Sequence, residues 1–114
     1  SGFANERGVG EGLGKNLNFP LPERVTGALF AKYLGKALAA IRRFAPQFLV
    51  VSLGFDTGKG DPTGAWDLDG DAFEESGRAI ARVGLPTLFV QEGGYQTRNL
   101  TRHARRFFTG LMRP

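Results

Sequence analysis

A chain of 114 residues with 41% hydrophobic and 23% charged residues suits one folded domain, residues 1–114, able to bury about two-thirds of its extended surface. With no cysteine it has neither a disulfide framework nor a thiolate metal site, which fits a reducing cytoplasm. The net charge of +4 raises the question of a polyanionic partner, while no apolar run approaches membrane-spanning length and Ser1-Gly2-Phe3 begins no basic-then-apolar pattern, so a soluble intracellular protein is expected.

The first fourteen residues hold five glycines and no apolar periodicity, so residues 1–15 read as a glycine-rich loop. Leu17 to Leu21 reads as a short strand closed by Pro20 and Pro22. Thr26 is placed to cap a helix running to about Phe44, because Phe30, Tyr33, Leu34, Ala37, Leu38 and Ile41 fall on one stripe, and Pro46 stops it. Next comes a strand from Phe48 to Leu53. Its apolar run lacks polar alternation, which predicts burial on both faces, as in a parallel sheet.

The following loop holds Asp56 among Gly54, Gly58, Gly60 and Gly64. Asp69 can cap a helix carrying Phe73, Gly77, Ile80 and Val83, ended by Gly84 and Pro86. A second buried strand, Thr87 to Val90, leads into the loop of Glu92-Gly93-Gly94-Tyr95, and a last helix runs from about Asn99 to Leu111. In that helix Leu100, Ala104, Phe107, Phe108 and Leu111 recur at helical spacing, so Arg98, Arg102, Arg105, Arg106 and Arg113 form a solvated outer face. No nucleic-acid motif accompanies them, which argues against a nucleic-acid partner. The order strand, helix, strand, helix, strand, helix predicts an α/β fold, a three-layer sandwich around a short parallel sheet with right-handed crossovers.

Both reactive loops follow a strand, so Asp56 and Tyr95 should emerge at the same sheet edge, where α/β proteins place their sites. Residue chemistry alone leaves each open. Asp56 can cap its own turn, and a single carboxylate is no metal site; Tyr95 can be a surface turn residue. Asp61, in Gly60-Asp61-Pro62, reads as a structural turn residue, and His103 as a solvated helix residue.

Three ordered motifs carry a resemblance. They are Gly2-Phe3-Ala4-Asn5-Glu6-Arg7-Gly8 with its glycine-spaced continuation, Gly54-Phe55-Asp56-Thr57 leading to Gly60-Asp61-Pro62, and Glu92-Gly93-Gly94-Tyr95. With them the chain resembles the zinc-dependent histone deacetylase and acetylpolyamine amidohydrolase superfamily, in its bacterial, polyamine-deacetylase-like branch. The resemblance implies a partial arginase-deacetylase fold and covers roughly the C-terminal third of the family's domain. It implies that Asp56 is the downstream zinc ligand and that Tyr95 donates a hydrogen bond to the substrate carbonyl and then to the oxyanion. It further implies that Gly93 and Gly94 line the acetyl-lysine-like tunnel, with Thr63 at its rim, and that Glu92 supports the loop through backbone hydrogen bonds. Lys59 departs from the family's small or apolar residue and would disfavour a cationic polyamine.

The family's Asp-His ligand pair and catalytic His pair have no counterpart, since His103 is the only histidine. The resemblance therefore implies zinc for the family but none held by this chain alone, and a deacetylase half-site inactive without a complementing chain. The alternative is a non-catalytic assembly or binding module. A sheet cut from a larger one exposes apolar surface, so a homo-oligomer is expected, in the cytoplasm and away from membranes.

Overall fold

The computed structural model describes all 114 residues. Helix α1 (Gly27–Phe44) is followed by strand β1 (Leu49–Leu53), helix α2 (Gly70–Ala81), strand β2 (Thr87–Gln91) and helix α3 (Thr97–Met112). No helix is long and apolar enough to cross a membrane.

Local chemistry sets the helix ends. The Thr26 hydroxyl accepts the Leu29 N–H at 3.2 Å to start α1, and the Asp69 carboxylate accepts the Ala72 N–H at 2.9 Å to start α2. Helix α1 stops at Ala45, which takes the left-handed conformation (φ 53°) and donates back to Ile41 and Arg42, with Pro46 behind it. Helix α3 begins two residues before the expected Asn99, because the Gln96 side chain accepts the Arg98 N–H and caps it.

Strands β1 and β2 pair in parallel, Leu49 opposite Thr87 through to Leu53 opposite Gln91, giving a two-stranded sheet. The expected strand at Leu17–Leu21 is chain without regular structure or a sheet partner. Pro20 and Pro22 offer no N–H to a ladder, and Phe19 instead packs edge-on against Tyr33 of α1 at 5.9 Å. Phe48 likewise lies outside β1 and is exposed.

All the buried apolar side chains form one cluster on one side of the sheet. Phe107 of α3 is at its centre, edge-on to both Phe55 and Phe89. Helices α2 and α3 touch at backbone level: a Cβ on Gly77 would run into the Phe107 carbonyl, and one on Gly110 into the Glu74 carbonyl. Along the rim of this contact Arg106 pairs with Asp71 and lies 2.8 Å from Glu74, although its Nε–H points too far off line for a hydrogen bond.

The strands were expected to be buried on both faces, and here the structure corrects the sequence reading. Leu49, Val51, Leu53 and Phe89 turn toward the helices, whereas Val50 (63% exposed), Leu88 (59%) and Val90 point away. Of the three-layer sandwich, these residues supply the sheet and the helical cover of one face. An unalternating strand signals what both its faces are made for, and the second face finds no cover within this stretch.

Candidate functional site

Strand β1 delivers its chain into a turn at Gly54-Phe55-Asp56, and β2 delivers Gly93-Gly94-Tyr95 beside it. Two backbone hydrogen bonds lock the loops together: Glu92 N–H donates to Leu53 O (2.9 Å) and Phe55 N–H to Gly93 O (2.8 Å). The loop support expected of Glu92 thus comes from its N–H, while its side chain is exposed.

The Asp56 carboxylate is cradled by two glycines. A Cβ at Gly54 would meet its Oδ1 at 2.6 Å, and one at Gly93 would meet its Oδ2 at 2.5 Å. The same Cβ on Gly93 would lie 3.1 Å from Cε2 of Tyr95. The carboxylate and the phenol ring therefore border one vacant side-chain position, and any residue larger than glycine at 93 would fill it. Gly94, with φ +149°, turns the chain so that Tyr95 points outward, 56% exposed.

Asp61 does more than shape a turn. It is 5% exposed, and both of its oxygens are occupied. Oδ1 accepts the Thr63 N–H (2.9 Å) and hydroxyl (2.7 Å), while Oδ2 accepts the N–H groups of Tyr95 (2.8 Å) and Gln96 (3.2 Å). Burial by itself would raise the Asp61 carboxyl, but these donors outweigh it and hold the group below its ordinary value. The Gly-Asp-Pro-Thr run signals the local half of this arrangement, the bonds to Thr63. Nothing near it in sequence signals partners thirty-four residues away. Thr63 is exposed, and its hydroxyl is committed to Asp61. Lys59 is exposed on the same loop.

His103 is not the solvated residue expected. It is 6% exposed, stacks on Phe73 at 4.7 Å and lies against Gly58, where a Cβ would meet Nδ1 at 2.7 Å. Its spacing to Phe107 and Gly110 on the buried face of α3 carried that signal. Burial, then the charge of Arg102, push its imidazole below the ordinary 6.5, with Asp69 pulling the other way.

No three His, Cys, Asp or Glu side chains converge anywhere in the chain. Asp56 offers one carboxylate to a metal, and the residues present do not by themselves make a metal centre.

Comparison with known proteins places the fold and the sequence together in one family. Residues 1–111 match the model of the histone deacetylase domain. An acetylpolyamine amidohydrolase of Burkholderia pseudomallei is 46% identical over 111 residues, covering 97% of this chain and 33% of that protein. Histone deacetylase 8 of Arabidopsis thaliana is 37% identical over 101 residues, covering 82% of this chain and 26% of that protein. The crystal structure of an acetylpolyamine aminohydrolase from B. pseudomallei superposes with a TM-score of 0.96 at 45% identity, covering 99% of this chain and 33% of that one. The chain thus spans about a third of the length of the curated relative from B. pseudomallei.

Proposed function

Because the chain belongs to the histone deacetylase family, we propose that it supplies the C-terminal half of a zinc-dependent deacetylase centre whose other ligands lie in polypeptide beyond these 114 residues. The observation that supports this reading is the juxtaposition of Asp56 and Tyr95 across the empty Cβ position of Gly93. In the assembled centre Asp56 contributes one hard oxygen ligand. Tyr95 donates a hydrogen bond from its phenol O–H to the carbonyl oxygen of an acetylated amine and keeps it as negative charge develops on that oxygen, the kind of preorganised donor whose removal costs about 10²–10³ in rate. Gly93 and Gly94 keep the approach open, and Thr63 and Lys59 stand at the rim. The reaction is hydrolysis of an acetyl amide; the similarity to acetylpolyamine amidohydrolases favours small acetylated amines, and the exposed Lys59 ammonium at the rim weakens binding of those with the most positive charge without excluding them. The cysteine-free composition supports a cytoplasmic setting.

The test is complementation. The chain is mixed or co-expressed with the remaining two-thirds of the B. pseudomallei relative, and hydrolysis of an acetylpolyamine is followed. Turnover is expected from the pair, with Tyr95→Phe reducing it about 10²-fold. Turnover by the chain alone would refute the reading.

A second reading, a non-catalytic module that associates with its own copies, is favoured by the outward Val50, Leu88 and Val90, joined by exposed Phe48. Sedimentation at micromolar concentration decides it: a homodimer or larger species supports it, and a monodisperse monomer rules it out.

A further inference from the structure

We infer that Asp61 is the positioning residue for Tyr95, its buried carboxylate gripping the Tyr95 and Gln96 amides with one oxygen and the Thr63 turn with the other, and so fixing where the phenol stands relative to Asp56. The inference rests on the deacetylase reading for why that position matters. Tyr95 has no side-chain hydrogen bond of its own to hold it, and the residue is more than half exposed. Its placement must come from the backbone, which is pliant on the N-terminal side, where Gly93 and Gly94 precede it. Helix α3 does not begin until Thr97. Between the glycines and the helix, two consecutive N–H groups point at a single carboxylate oxygen, and charge-assisted bonds of this kind are roughly twice as strong as neutral ones.

The other oxygen matters equally. Through Thr63 it ties the carboxylate to its own loop, so Asp61 links the Asp56 loop to the Tyr95 loop as one body. Weaker ties run in parallel, from Gln96 Nε2 to Gly60 O (3.4 Å) and from Asn99 Nδ2 to Lys59 O (3.5 Å). On the far side, Phe55 N–H to Gly93 O closes the same frame. A phenol held this way is preorganised, and displacement by about 1 Å can cost an enzyme on the order of 10²-fold in rate.

The test needs no turnover, so failure of the deacetylase reading and failure of this inference are separate results. The chain holds two tyrosines, Tyr95 and Tyr33, and Tyr33 sits on α1 against Phe19, which makes it an internal reference. With labelled tyrosine and amide exchange followed by NMR, the wild-type Tyr95 and Gln96 amides should exchange at least about tenfold more slowly than unstructured amides. Asp61→Ala should abolish that protection and shift or broaden the Tyr95 ring signals while leaving Tyr33 unmoved. Asp61→Asn, which keeps one accepting oxygen and the shape, should do so partially, and it is the variant to read if Asp61→Ala unfolds. Thr63→Val, which removes only the hydroxyl donor, should leave the two amides protected. Three results would overturn the inference: unprotected wild-type amides, an unchanged Tyr95 in a folded Asp61 variant, or Tyr33 and Tyr95 disturbed alike in both variants.

Discussion

The two faces of the β1–β2 sheet are made of the same kind of residue and have opposite fates. Toward the helices, Leu53 and Phe89 meet Phe55, Phe107 and the glycine-mediated contact of α2 with α3. Away from them, Val50, Leu88 and Val90 lie open. The stretch is thus self-sufficient on one side only, and its polar groups divide in the same way: Asp56 and Tyr95 sit in a hydrogen-bonded frame, while no cluster of three possible metal ligands gathers around them.

The sharpest way to break this comparison is on the covered side. Gly110→Ala or Gly77→Ala would drive a methyl into a facing carbonyl and should cost about 3 kcal/mol or more, a large share of a domain's stability. Phe107→Ala should cost a similar ~3–5 kcal/mol. Urea titration checks all three, and unchanged midpoints would mean that the helices are not in contact as described. On the open side, Val50→Lys with Leu88→Lys should change stability by no more than about 0.5 kcal/mol per site while abolishing self-association or complementation. Denaturation and sedimentation on the same sample read both effects.

Acid sharpens the picture further. His103 is pushed below 6.5, so the unfolded chain binds its proton more readily than the folded one. Stability should therefore fall as pH drops from about 6.5 through the lowered folded value, and His103→Gln should remove that slope. Asp61 acts lower on the scale. Its depressed carboxyl contributes stability that is present above the ordinary carboxylate range and lost as pH falls through its folded value. Denaturation midpoints between pH 7 and pH 3 separate the two. The smallest expected effect is at the end of α1, where Ala45 takes a left-handed conformation suited to glycine, and Ala45→Gly should stabilise by about 0.5–1 kcal/mol.

Much of this was legible in the sequence, and the reason is locality. Caps at Thr26 and Asp69, the stop at Pro46 and the stripe of Leu100, Ala104, Phe107 and Leu111 are decided within a few residues, and the structure has them. The placement of Asp56 and Tyr95 at one sheet edge followed from two apolar strands, each running into a glycine-containing loop. What was not legible depends on distant partners. The run Leu17–Leu21 has the composition of a strand but no neighbour to pair with. The outward turn of Val50 and Leu88 could not be read from their own composition, because no element of the chain packs over that face. The hold of Asp61 on Tyr95 spans the whole of α2 and β2, and no spacing rule announces it. His103 lay between, since its helical register was readable but its polar character favoured solvent.

The most direct test of the half-site is to count zinc. The chain alone, the chain assembled with the remaining two-thirds of the B. pseudomallei relative, and the same assembly carrying Asp56→Ala are each dialysed and analysed for metal and acetylpolyamine hydrolysis. The expected result is about one zinc per assembled pair, with activity, and neither in the chain alone nor in the Asp56→Ala assembly. A chain that holds zinc and hydrolyses by itself, or an Asp56→Ala assembly that keeps both, would contradict it.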